Sequence, residues 1–239
     1  MLFRSGDVIP RVQYPTGGGS VAWNADGSGV YYTRYPHAGE RPAADLNFFQ
    51  QVYFHQLGTP AGEDRYEAGK DFPRIAEIEL DAGDDGQTIL ASVANGDGGD
   101  FAHYLRGPAG AWTQLTRFED GVKHIEFGRD GALYLLSRQG APHGQILRLP
   151  LATPELAKAT VFVKESAVVI ETFAPSAHGL YVEDLAGGPS QIRYFDAEGQ
   201  FKQTLPIRPV SSVPQMLVRR GDELLFRNVS YTEIGRAHV

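Results

Sequence analysis

Serine, histidine and carboxylate are the residue types of covalent hydrolysis. A serine nucleophile of the α/β-hydrolase kind sits in a G-x-S-x-G elbow, where a strained strand-to-helix turn exposes its hydroxyl. No serine of this 239-residue chain has that frame. Ser20 stands between Gly18 and Ala22, Ser28 has Asp26 two residues before it, and Ser190 is followed by Ile192. The seven histidines (His37, His55, His103, His124, His143, His178 and His238) form neither an i, i+4 pair nor a cluster with carboxylates, so metal ligation is not expected and surface or turn positions are. Two acidic loops invite a calcium reading. Asp81-Ala-Gly-Asp-Asp-Gly86 has Asp at loop positions 1 and 5 and Gly at 6, but Ser92 stands where a bidentate Glu is needed; Asn95-Gly-Asp-Gly-Gly-Asp100 fails in the same way at Arg106. Solvated turns account for both.

Composition narrows the partners. With 29 acidic against 22 basic residues the formal charge is −7, and the cations are dispersed, so a face that tracks phosphates is not expected and nucleic acid is a poor partner. Cysteine is absent, which removes disulfides and thiolate metal sites without choosing a compartment. No apolar run approaches the roughly 18 residues of a membrane span, and the first ten residues lack the apolar core of a signal peptide. A soluble protein, cytoplasmic or periplasmic, is expected.

The elements that would position any site are strands. One unit recurs: an apolar alternating segment, a tight turn, then a β-branched or aromatic segment. The turns centre on Asp26-Gly27, Asp85-Gly86, Asp130-Gly131, His178-Gly179 and Gly221-Asp222, with glycines 42 to 59 residues apart, bracketing the roughly 40–50 residues of a four-stranded propeller blade. Asp-Gly supplies the positive φ that a tight hairpin requires. Strands are predicted after each turn, at Val30–Thr33, Ile89–Val93, Leu133–Leu136, Leu180–Glu183 and Leu224–Arg227. Others are predicted at 51–56, 102–106, 145–149, 161–163 and 191–195. The insertion from Pro36 to Leu46 widens the first interval, and Pro154–Ala159 is the only helical candidate, one turn long. The fold class is all-β and radial: about four complete blades of four-stranded antiparallel sheet and part of a fifth. The 11 Tyr and 13 Phe would fill the wedges between sheets, as would Trp23 and Trp112.

The tract Asn47-Phe-Phe-Gln-Gln-Val-Tyr-Phe-His-Gln-Leu-Gly-Thr-Pro-Ala-Gly-Glu-Asp64 resembles the one that follows the first well-marked repeat of the N-terminal β-propeller in the prolyl oligopeptidase family. Val21–Tyr35, Gly96–Phe101, Leu136–Pro142 and Gly187–Gln191 follow the order of that propeller in bacterial members. The resemblance covers about residues 7 to 232 and implies a seven-bladed propeller, present here in part (residues 1–232), whose parent is a serine endopeptidase hydrolysing short peptides after proline. The catalytic C-terminal α/β-hydrolase domain is not in the chain, so the chain alone is expected to be inactive, without cofactor. Its implied partners are short peptides and that missing domain. The rivals are the propeller of a basic-residue-specific oligopeptidase of the same family and a non-catalytic binding scaffold.

Two residues take expected roles from the resemblance. Tyr31 matches a position that holds an aromatic near the substrate side of the propeller, with inter-blade packing as the competing role. His55 belongs to the matching tract and is expected to make a structural hydrogen bond at a strand end. The last residues, Glu233–Val239, break the family pattern and read as a translated sequencing adapter, so 233–239 is expected to be a non-native tail. Asp7–Val12 looks like the end of a preceding blade.

Overall fold

A computed structural model describes Ile9, residues 19–219 and residues 222–230. The expected tail at 233–239 and nearly all of the Asp7–Val12 segment lie outside the described residues. The chain divides into two compact units, Met1–Glu119 and Asp120–Val239.

In the first unit, β1 (Val21–Trp23), β2 (Gly29–Arg34), β3 (Gln51–Gln56) and β4 (Arg65–Ala68) form one antiparallel meander. A second is formed by β5 (Ala76–Ala82), β6 (Ile89–Asn95), β7 (Phe101–Arg106) and β8 (Trp112–Thr116). The second unit repeats the scheme with β9 (Val122–Phe127), β10 (Ala132–Ser137), β11 (Gln145–Pro150) and β12 (Thr160–Val163). It continues with β13 (Val169–Pro175), β14 (Gly179–Leu185), β15 (Ser190–Asp196) and β16 (Phe201–Thr204), and closes with the two-stranded β17 (Ser212–Val218) and β18 (Leu224–Val229). These are four blades of a β-propeller and part of a fifth, as the repeat predicts.

The three predicted Asp-Gly turns fall between the first and second strand of a sheet, the His178-Gly179 turn runs into the start of β14, and Gly221 of the fifth lies outside the described residues. Gly27, Gly86 and Gly131 have φ of 68, 61 and 73°, the left-handed values that glycine adopts without a Cβ penalty. Gly179 differs. It has no positive φ, yet a Cβ there would run into the Phe195 carbonyl and the Tyr194 ring, so close approach of β15 is what demands glycine. Three of the second strands are buried almost throughout: all six residues of β2 and of β10, and the first six of β14. This is why Val30-Tyr-Tyr and Leu133-Tyr-Leu-Leu read as unbroken apolar runs rather than alternating ones.

Between the first two sheets, Ala76, Ile78 and Leu80 of β5 and Ile89, Ala91 and Val93 of β6 pack against Ala22, Tyr31 and Val52. The first strands β1 and β5 run close together. Ser20 ties them: its hydroxyl accepts from the Leu80 amide at 2.8 Å, and its backbone amide donates to Thr33 Oγ1 at 2.9 Å. In the second unit, Ile170, Phe173, Leu180 and Val182 meet Tyr134, Leu136 and Ile146, and Tyr181 and Ile192 meet Val213 and Leu224. The single helical candidate becomes one 3₁₀ turn, Leu156–Lys158.

Candidate functional site

The serines weighed as nucleophiles are occupied structurally. Ser20 joins β1 to β5, Ser28 Oγ accepts from Asn24 Nδ2 at 3.0 Å, and Ser190 Oγ accepts from the Val213 amide at 3.0 Å. Asp85, in the first acidic loop, accepts from the amides of Gln87 and Thr88, as an Asx turn does. His103 departs from the expected surface or turn position. It is fully buried in β7, its Nδ1 2.6 Å from Thr116 Oγ1 of the neighbouring strand β8, and a neutral imidazole can be buried once it is hydrogen-bonded.

Tyr31 lies in the middle of β2, opposite Phe54 of β3, and is 5% exposed. Its ring is 4.9 Å from that of Phe54, and the Arg106 guanidinium stands 4.9 Å from its centroid. Burial pushes its phenol up from the ordinary value, with Arg106 opposing. Arg106 is held in turn by Glu67, whose carboxylate, 5% exposed, also takes Arg65 at 2.7 Å and Trp112 Nε1 at 3.1 Å. Tyr31 is thus enclosed by a clasp between β4 of the first sheet and β7 and β8 of the second.

On the opposite face of β2, Tyr32 and His55 converge on Asp64. The Tyr32 hydroxyl donates to Oδ2 at 2.6 Å and His55 Nδ1 donates to Oδ1 at 2.7 Å. His55 therefore makes the structural hydrogen bond expected of it; that Asp64 is the partner could not be read from the sequence.

The insertion between β2 and β3 builds the most distinctive loop of the first unit. Arg34 leaves β2 paired with Glu40 at 2.7 Å and lies 3.8 Å over the Tyr53 ring. Arg41 covers Phe49 at 3.7 Å, and Arg74, from the β4–β5 connection, covers Phe48 at 3.5 Å while pairing with Asp45 at 2.9 Å. Phe49 has φ 58°, an uncommon conformation for a bulky side chain, and its amide is fixed by the Arg74 carbonyl at 2.8 Å. Beside this loop a cavity of about 240 Å³ opens between Tyr35, Asn47, Phe48, Ile75, Glu77 and Asp97. The insertion was legible in the sequence as an irregular interval; the arginine–aromatic stacking that gives it shape was not.

A family model described as the prolyl oligopeptidase N-terminal beta-propeller domain matches residues 5–233. The chain belongs to the prolyl oligopeptidase family, as its N-terminal β-propeller domain. Among curated proteins, this propeller domain is similar to prolyl oligopeptidase A of Galerina marginata (strain CBS 339.88), 22% identical over 146 residues, which are 56% of this chain and 20% of that protein. Among solved structures it is similar to one from a study of two prolyl endopeptidases, at a TM-score of 0.75 and 18% identity, covering 87% of this chain and 31% of that one. It is also similar to oligopeptidase B from Leishmania major, at 0.67 and 17%, covering 91% and 33%. The propeller domain thus spans about a third or less of the length of these relatives. The family is one of serine peptidases, and none of the described residues forms a helix long and apolar enough to cross a membrane.

Proposed function

We propose that this propeller domain is the substrate-admitting part of a serine endopeptidase that hydrolyses short peptides on the carboxyl side of proline, with the Ser-His-Asp triad on an α/β-hydrolase domain outside the 239 residues. The observation that carries the reading is the family match across residues 5–233, together with the structural engagement of the three serines nearest to an elbow frame. A propeller stacked over an active site leaves a narrow central route or a hinged gap, so peptides pass and folded proteins do not. Excluding water there strengthens the electrostatic stabilisation of the tetrahedral intermediate.

Short peptides and the catalytic domain are the partners in this reading; Tyr31 is its candidate substrate-facing residue, weighed against the packing role that its 5% exposure between the sheets supports. Basic-residue specificity is the second reading, supported by the likeness to oligopeptidase B. The test is a panel of blocked chromogenic dipeptides given to the full-length enzyme. Preferential release from Gly-Pro supports the proposal, preferential release from an Arg substrate supports the second reading, and no release from either refutes both.

A further inference from the structure

We propose that the β6–β7 turn is a site of spontaneous covalent modification, in which the Gly96 backbone nitrogen displaces the side-chain amide of Asn95 and leaves an aspartyl or isoaspartyl residue at 95. The chain has four asparagines, Asn24, Asn47, Asn95 and Asn228, and Asn95 alone precedes a glycine. Ring closure requires the following backbone nitrogen to reach the side-chain carbonyl carbon, and Gly96, without a Cβ, leaves its nitrogen unshielded. That N–H also stands first in the 3₁₀ turn Gly96–Gly98, where the opening amides have no acceptor within the turn. Asn95 is exposed, and its side chain makes no capping bond.

The other asparagines are held. Asn24 Nδ2 donates to Ser28 Oγ at 3.0 Å, and its Oδ1 accepts from the Gly29 amide at 3.0 Å. Asn228, 7% exposed, donates to Ser211 Oγ at 2.6 Å and accepts from the Arg208 amide at 2.9 Å. Asn47 is followed by the bulky Phe48, whose amide is already donated to the Asp45 carbonyl at 3.1 Å. The Asp-Gly turns share the glycine but not the chemistry, because a carboxylate is a poorer electrophile than an amide. The Gly27 and Gly86 amides are in addition donated to backbone carbonyls at 3.2 and 2.8 Å.

In the reaction a bond forms between Gly96 N and Asn95 Cγ, the Cγ–Nδ2 bond breaks, and ammonia leaves with the proton of the Gly96 amide. Water then opens the cyclic imide. Opening at Cγ restores the peptide bond and gives an aspartyl residue; opening at the main-chain carbonyl routes the backbone through Cβ and Cγ, one methylene longer. Either product places a further negative charge beside Asp97 and Asp100. The lengthening falls where it matters for the sheet: the residue 95 amide closes the turn on the Asp100 carbonyl at 3.0 Å, and residue 95 stands opposite Ala76 of β5.

The test is incubation of the full chain for days at physiological temperature and mildly alkaline pH, folded and in urea, followed by tryptic mass spectrometry that separates aspartyl from isoaspartyl products. In the folded chain the 75–106 peptide is expected to change from amide to acid at Asn95, at a rate within about tenfold of that in urea, while Asn24, Asn47 and Asn228 stay intact. Asn95→Gln, whose longer side chain does not close the same ring, should abolish the product. Hydrogen exchange should show the residue 95 amide losing protection in the isoaspartyl form and keeping it in Asn95→Asp, which carries the charge without the methylene. An Asn95 that survives in the folded chain while urea exposes it to loss overturns the proposal, as does earlier conversion of any other asparagine in the folded chain. Equal protection of the isoaspartyl form and Asn95→Asp overturns the loosening of the turn.

Discussion

His55 and Asp64 form a buried pair: Nδ1 lies 2.7 Å from Oδ1, with the side chains only 2% and 3% exposed. The pair fastens the loop after β3 onto the sheet, because Asp64 stands immediately before β4 and its second oxygen is held by Tyr32 of β2. A carboxylate buried this deeply is stable only while its lone pairs are satisfied. Removing a partner therefore costs more than the bond itself.

Asp64→Ala is expected to lower the unfolding free energy by about 3 kcal/mol, the scale of stripping one partner from a buried ionic cluster. Tyr32→Phe should cost about 1.5–3 kcal/mol, as for a hydrogen bond to a charged group. The double variant should cost less than the sum, since both changes dismantle one network. Urea unfolding measures all three, and strict additivity would show that the two side chains act independently.

The Glu67 clasp predicts a spectroscopic effect. Glu67→Gln takes the counter-charge from Arg65 and Arg106 and weakens the bond from Trp112 Nε1. Stability should fall by about 3 kcal/mol, and Trp112 emission should shift to the red as the ring gains water. An unshifted spectrum, with Trp23→Phe as background to isolate Trp112, would refute the clasp.

Tyr31 separates packing from substrate contact through two substitutions. Tyr31→Ala removes a 5%-exposed ring from between two sheets and should cost about 3–5 kcal/mol. Tyr31→Phe keeps the ring and removes only the hydroxyl. If Tyr31 meets substrate as proposed, Tyr31→Phe in the full-length enzyme raises KM while Tm stays within a few degrees. Unchanged kinetics at unchanged Tm would assign the residue to packing alone.

Acid should weaken the insertion between β2 and β3 through Glu40. Hydrogen bonds from Arg34 hold the Glu40 carboxyl at about 2, below its ordinary 4.5. A lowered folded-state value means that the pair contributes stability above pH 4.5 and loses it as pH falls towards 2. Glu40 is 42% exposed, so solvent screening keeps the effect below about 1 kcal/mol. Glu40→Gln should flatten the decline between those pH values; an unchanged slope would show that Glu40 does not contribute.

The isolated chain should not hydrolyse a blocked Gly-Pro chromogenic substrate. Ser20, Ser28 and Ser190 are engaged in structural bonds rather than poised beside a base. Turnover above blank by pure chain, abolished by a serine-directed inhibitor, would overturn this.

The sequence by itself determined the blade repeat, because its signals are local. Asp-Gly at 26–27, 85–86 and 130–131 requires the positive φ found there, and strands buried on both faces carry continuous apolar runs whatever their neighbours. It did not mark β4, β8 or β16 as strands. Phe201–Thr204 is exposed along its whole length, so an outer strand needs only backbone pairing and leaves little pattern in side chains. Tertiary structure alone decided the partners. Asp64 meets His55 across the turn into β4, Glu67 meets Trp112 across 45 residues, and Arg74 stacks on Phe48 from a different connection. Such contacts depend on which sheet faces lie together, and a repeat read along the chain states how many sheets there are but not which side chains their packing brings within hydrogen-bonding reach.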